Sequence, residues 1–237
     1  MSDPSARPCA LVVGVGPGLG AALARRFAKG GLAVAVVARR PERLAALAEE
    51  VGGRAYGCDA GDEAAVAALF RQIAGELGPL SLVAFNAGAF LRQPVAETTA
   101  AEFERCWRAS AFGGFLVGRE AARAMLPQAM HPQAMQPGRR STILFTGATA
   151  ALRGGANFAA FAAGKFGLRA VAQSMARELG PQGVHVAHVI VDGQIGDAEE
   201  DAKLRPDAIA EAYWQLHQQP RSAWTHELDL RPWAERF

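Results

Sequence analysis

The stretch GVGPGLG, Gly14 to Gly20, follows a short apolar run and opens directly into an alanine-rich segment of helical period. Gly14, Gly16, Gly18 and Gly20 carry no Cβ, so the chain can turn tightly and admit a pyrophosphate to the amides of a helix starting at Leu19. A glycine cluster after a first strand and before a helix is the context a dinucleotide site demands. About 20 residues further on, a site built for NAD carries an acid that accepts the ribose hydroxyls. This chain reads VVARRPE instead. Arg39 and Arg40 offer planar donor forks to a phosphate, which favours the 2′-phosphate of NADP(H) over NAD(H); an exposed charged turn is the plainer alternative. A third feature is NFAAFAAGK, in which Lys165 lies one helical turn beyond the ring of Phe161. That ring has no proton to give.

These residues need a frame to hold them. At 237 residues the chain suits one large α/β domain, residues 1–237, able to bury a substantial core. Short β-rich runs alternate with longer helical segments, the pattern of βαβ units feeding a parallel sheet. The expected strands are 10–13, 32–38, 54–58, 80–86, 141–146, 185–191 and 225–230, with helices beginning near Leu19, Pro41, Glu63, Thr99, Asn157 and Pro206. LPQAMHPQAMQPGRR repeats PQAM and spaces three prolines that cannot continue a helix, so 127–140 reads as an inserted surface loop lengthened by duplication, or as a partner-binding segment.

Composition removes several function classes. A formal charge of +2 with no cluster of Lys and Arg among stacking aromatics gives no reason to expect nucleic acid. Cys9, Cys58 and Cys106 form no CxxC pair and lack the neighbouring histidines of metal spacing; they read as reduced thiols, with no metal expected. The N-terminal MSDPSARPCALVV has neither signal-peptide nor membrane-span character, which leaves a cytoplasmic location by default.

The glycines at 14, 18 and 20 resemble the TGxxxGxG signature of the short-chain dehydrogenase/reductase family, with Val13 in place of its threonine. Further matches follow in order. Asp59 resembles the acid that contacts the adenine; Phe85 to Gly88, FNAG, resembles the NNAG motif, with Asn86, Ala87 and Gly88; ILFTGATAALRGG and FAAGK follow, so the resemblance spans nearly the whole chain. It implies a Rossmann-like doubly wound sandwich, a seven-stranded parallel sheet with helices on both faces. It also implies hydride transfer between a nicotinamide and a small carbonyl or alcohol substrate, in a homodimer or homotetramer paired partly through the helices of Trp107 and Phe161. In the family a tyrosine is the acid, a lysine lowers its pKa and holds the nicotinamide ribose, a serine binds the reacting oxygen and an asparagine holds a water. On this sequence the tyrosine position falls on Phe161, the serine on Ala148, the asparagine on Ser110 and the lysine on Lys165. The sequence is also similar to a bacterial branch of the family with phenylalanine at that place. After the sixth strand, VDGQIGD puts Gly193 at the family's glycine and Ile195 along the nicotinamide.

Substitute proton donors must lie beyond the carboxyl ends of the strands. His185 and His188, at the beginning and middle of the sixth strand, are expected to be structural. Thr146 and Thr149 flank the vacant serine position, and a hydroxyl there could polarise a carbonyl. Asp192 and Asp197 are the best titratable substitutes, with turn-forming or capping as the alternative. Lys165, partly buried, should have a lowered pKa. The sequence therefore points to an NADP(H)-binding oxidoreductase with a non-standard active site. The alternative is a catalytically silent dinucleotide-binding protein acting as sensor or partner subunit.

Overall fold

The computed structural model describes residues 7–130, 140–197 and 201–235. Its strands are β1 (Cys9–Val13), β2 (Ala33–Ala38), β3 (Arg54–Gly57), β4 (Leu80–Phe85), β5 (Thr142–Thr146), β6 (His185–Val191) and β7 (Glu227–Leu230). The helices are α1 (Leu19–Lys29), α2 (Ala45–Glu50), α3 (Glu63–Glu76), α4 (Ala100–Trp107), α5 (Gly113–Ala129), α6 (Ala159–Leu179) and α7 (Pro206–Gln218). All strand pairings are parallel, in the order β3-β2-β1-β4-β5-β6-β7. This is the expected doubly wound sheet.

The strands' composition follows from their position. β1, β4, β5 and β6 are buried along their whole length, because helices cover both faces, so they read as continuous apolar runs. Val13, Val37, Phe85 and Phe145 point toward α3, α5 and α6, while Val12, Val36, Ala84 and Leu144 point toward α1, α2 and α7. β7 is the exception. Its ELDL alternates exposed and half-buried positions, the pattern of an edge strand with one face covered.

Several boundaries differ from the sequence reading. Pro41 opens a short 3₁₀ turn, and α2 starts only at Ala45. α6 starts at Ala159, since Asn157 takes a left-handed φ of 70° and cannot be helical. α5 continues to Ala129 with Pro127 inside it, three residues into the segment read as a loop. Pro127 sits in the last turn, where its missing amide forfeits one hydrogen bond and little helix remains to be broken. Residues 131–139 of that segment lie outside the described residues.

Strand order reverses between β1 and β4, each of which starts a run outward in the opposite direction. The crevice beyond their carboxyl ends is where such a sheet takes its ligand.

Candidate functional site

The glycine turn closes on this crevice. Gly14 has φ +88°, and a Cβ there would lie 2.4 Å from the Ala87 amide nitrogen. Asn86 completes the contact by donating from Nδ2 to the Gly14 carbonyl at 3.0 Å and from its amide to Val13 at 2.8 Å. FNAG and the glycine turn are thus one packed unit. Gly20 is equally constrained, 2.7 Å separating its hypothetical Cβ from Val15 Cα. Gly16 and Gly18 differ: a Cβ on either would meet no protein atom within 4 Å. Gly18 caps α1 without a side chain, and among the described residues the Leu19 and Gly20 amides have no protein acceptor. Open space in front of free helix-start amides is the cradle a pyrophosphate requires.

Around this cradle, Arg39 and Arg40 are exposed at the end of β2 and make no ion pair among the described residues. Asp59 lies exposed just after β3, where Oδ1 accepts from the Gly61 amide at 2.9 Å. Gly193 has φ +148°, and a side chain there would collide with Pro232 at 2.9 Å. Ile195 is 43% exposed and bridges to Leu204, which closes a small loop beyond β6.

At the other side of the crevice, Lys165 is buried on the early turns of α6, and Nζ donates to the Thr146 carbonyl at 2.9 Å. Burial lowers its pKa to about 8. Gly88 lies beneath it: a Cβ there would stand 3.5 Å from Nζ and 3.3 Å from Ser110 Oγ. Ser110 comes from a π-helical turn, Arg108–Phe112, between α4 and α5. Gly164 allows that turn to press on α6, since a Cβ there would be 2.8 Å from the Cys106 carbonyl. Ser110 Oγ is buried without a partner, which costs about 1–3 kcal/mol unless a water or ligand answers it. Lys165, Ser110, Gly88 and the Thr146 carbonyl therefore converge. The residues on both sides fit a dinucleotide laid from the glycine turn to Lys165.

The two positions expected to match the family's serine and tyrosine carry no side-chain oxygen. Ala148 is extended and partly exposed just past β5, and Phe161 is half-buried on α6 with Lys165 Nζ 5.9 Å from its ring centre. Of the expected substitute donors, Thr146, Thr149 and Asp192 are occupied. Thr146 Oγ1 lies 2.7 Å from the Tyr213 hydroxyl, on the α7 side of the sheet. Thr149 Oγ1 donates to Asp192, and the other Asp192 oxygen takes Arg231. Asp192 is fully buried, so it joins the ends of β5, β6 and β7 and is no acid for a ligand. Asp197 is exposed on the loop beyond Gly193. His185 accepts a structural role through Thr225, 2.8 Å away, and a stack on Trp224. His188 packs against Gly147, and burial pulls its pKa down to about 4.

Sequence reasoning missed Tyr213, Arg231 and the neighbours of Phe161. Nothing in sequence spacing links Tyr213 to Thr146 across the sheet. The i, i+3 spacing of Phe158 and Phe161 was a usable signal.

A sequence family described as short chain dehydrogenase matches residues 8–207. A short-chain dehydrogenase/reductase of Armillaria gallica is 34% identical over 186 residues, 75% of this chain and 67% of the relative. D-Threitol dehydrogenase of Mycolicibacterium smegmatis is 30% identical over 206 residues, 80% of this chain and 75% of its own. Among solved structures, a short-chain dehydrogenase from Rhodopseudomonas palustris superposes with a TM-score of 0.82 at 44% identity, covering 95% of this chain and 99% of its own. A metagenomic short-chain oxidoreductase in complex with NADP gives 0.81 at 28% identity, covering 98% and 99%. With the match running from 8 to 207 on this strand order, the chain belongs to the short-chain dehydrogenase/reductase family.

Proposed function

We propose that the protein binds NADP(H) and acts as an oxidoreductase on a carbonyl or alcohol, with an active site that lacks both the tyrosine and the serine of its family. The observation that carries this reading is Lys165, buried and held by the Thr146 carbonyl beside Gly88 and Ser110. A protein that kept the fold alone would have no use for a desolvated cation there.

The nucleotide, when bound, supplies or accepts the hydride. Gly16, Gly18, Leu19 and Gly20 hold its pyrophosphate, with Gly14 fixing the turn. Asp59 and the segment Asn86, Ala87, Gly88 line the adenosine and ribose stretch, and Arg39 and Arg40 take the 2′-phosphate. Lys165 holds the nicotinamide ribose, and Gly193 and Ile195 border the nicotinamide. The preference for NADP(H) is supported by the relative solved with NADP and by two exposed arginines that have no ion-pair partner among the described residues. Ser110 offers an unpartnered hydroxyl for a water next to Lys165. With Phe161 and Ala148 at the reacting position, simple ketones lose an acid and an oxyanion donor, each typically worth about 10² or more.

Phe103, Trp107, Phe115 and Phe166 are each about two-fifths exposed on α4, α5 and α6. These rings support self-association through that face, as a homodimer or homotetramer.

Titration with NADPH and NADH, followed by turnover on the same sample with a carbonyl panel, tests the reading. NADPH should bind at micromolar concentration and more tightly than NADH, and Lys165→Ala should abolish turnover. Binding without turnover on any carbonyl would instead support a silent dinucleotide-binding protein. Absence of nucleotide binding would overturn both.

A further inference from the structure

Phe161 belongs to a cluster of three rings. Phe90 meets it edge-on at 5.2 Å between centres and meets Phe158 at 5.7 Å, while Phe158 and Phe161 are 6.5 Å apart. Phe90 lies two residues beyond Gly88 of FNAG and is 66% exposed, a large apolar surface left beside the crevice. The Gln93 amide donates to the Asn157 carbonyl at 2.8 Å, tying the loop of Phe90 to the segment that leads into α6. A cation closes each end: Lys165 Nζ 5.9 Å from the Phe161 ring and the Arg92 guanidinium 5.8 Å from the Phe158 ring. The hydroxyls of Thr146 and Thr149 are turned to Tyr213 and Asp192.

A carbonyl entering here meets flat carbon walls and two cations, and none of the side chains of this cluster carries an O–H donor. For a simple ketone this is a poor site, because reduction makes an alkoxide that must be protonated as it forms. A quinone is different. Taking up an electron pair makes its ring aromatic, and the charge rests on a phenolate whose conjugate acid has a pKa near 10, like tyrosine's. No strong acid is needed in that step, and nearby cations stabilise the product. An iminium acceptor, which also needs no acid, would be repelled by Lys165 and Arg92.

We infer that Phe90, Phe158 and Phe161, flanked by Lys165 and Arg92, form a binding site for the ring of a quinone, and that a quinone is the carbonyl reduced here. The inference rests on NADPH being the reductant. One quinone oxygen takes the hydrogen and electron pair of the NADPH C–H bond, which breaks, so that NADPH is oxidised to NADP+. A new O–H bond forms, the ring becomes aromatic, and the opposite oxygen, left as phenolate, takes a proton from Lys165 or water to give the hydroquinone.

Calorimetric titration of menadione into the protein saturated with NADP+ reads binding when no reduction can occur. Menadione should bind, and Phe90→Ala should weaken it about tenfold, the loss of a ring contact, while leaving the NADP+ affinity unchanged. Phe90 is too exposed for that substitution to unfold the chain, and Phe90→Trp, which keeps a ring, should retain binding. With NADPH, kcat/KM for menadione should exceed that for cyclohexanone at least about a hundredfold, the factor typical of a missing acid. Equal menadione affinity in wild type and Phe90→Ala, or equal rates on menadione and cyclohexanone, would overturn the quinone site while the NADPH reading stands. If no nucleotide binds, both fall together.

Discussion

The two sides of the crevice, the glycine turn between β1 and α1 and the start of α6 beyond β5, have kept different things. At the turn, a Cβ on Gly14 or Gly20 would come within 2.4 or 2.7 Å of neighbouring backbone, so no other residue fits without moving the sheet. At α6 the family's requirement is for oxygen atoms on side chains, and an oxygen can be deleted from a ring or a serine without disturbing what packs around it. Phe161 still meets Phe90 edge-on, and Ala148 still starts the turn of Thr149. Shape and chemistry are therefore separable: a side chain at either glycine would displace backbone, whereas an oxygen can be removed at the positions of Phe161 and Ala148 without displacing a neighbour.

The largest test restores the chemistry on the retained frame. Phe161→Tyr with Ala148→Ser should raise NADPH-dependent reduction of cyclohexanone by about 10² for each group regained, since acid and oxyanion donor are each worth that much or more. Thermal stability should change little, because each substitution adds one polar atom at a partly exposed position. If the rate stays flat in a folded protein that binds nucleotide, the two sides differ by more than two oxygens.

Next in size is a pair of glycines in one turn. Gly14→Ala, at φ +88° and with its Cβ driven onto Ala87, should lose about 3 kcal/mol or more in urea unfolding and lose nucleotide binding with it. Gly16→Ala meets nothing within 4 Å, so stability should hold to within about 1 kcal/mol while NADPH affinity falls. Equal stability losses at the two positions would remove the distinction between frame and cradle.

The frame was largely legible in the sequence because backbone requirements leave local marks. Each buried parallel strand has to be a short apolar run, Gly14 has to be glycine, and FNAG has to follow β4 to meet it. The site was legible only in part. Lys165 follows from its spacing to Phe161, but Asp192 looked available and is buried between Thr149 and Arg231, 43 and 39 residues away in sequence. The Thr146 hydroxyl is likewise paired with the Tyr213 hydroxyl on α7. Such pairings are set by tertiary packing across the sheet, and no local pattern encodes them. The π-helical presentation of Ser110 had no signature either.

Lys165 allows the chemical side to be weighed by pH. Its folded pKa of about 8 lies below the unfolded value of 10.5, so the unfolded chain binds more protons between those values and stability rises with pH across that window. Below pH 8 the penalty is fully present, on the order of 3 kcal/mol. Lys165→Met should remove it, making the variant more stable at pH 7 and converging with wild type by pH 10.5, while weakening NADPH binding. The buried thiols Cys9 and Cys58, raised to about 12 and about 11, act in the opposite sense above their usual range, but they are common to both proteins. The difference between the two unfolding curves against pH therefore isolates the lysine. A difference that is flat from pH 7 to 10.5 would mean that water reaches Nζ and that the cation is not held dry for a ligand.

The smallest expected effect concerns the cofactor choice on the frame side. Arg39→Ala and Arg40→Ala should each raise the NADPH Kd about tenfold, the loss of one charge-assisted contact, and leave NADH within about twofold. Added salt should narrow the gap between the nucleotides, since exposed charges are screened within about 10 Å at 0.1 M. Because both arginines are exposed and lie outside the packed glycine turn, neither substitution should affect stability, so any change is one of recognition. Should NADPH and NADH weaken equally, the pair is an ordinary charged turn that acts on the nucleotide only through its general field. Discrimination would then have to come from the same side of the sheet by other means, because the amides of Leu19 and Gly20 would meet only a pyrophosphate that both nucleotides share.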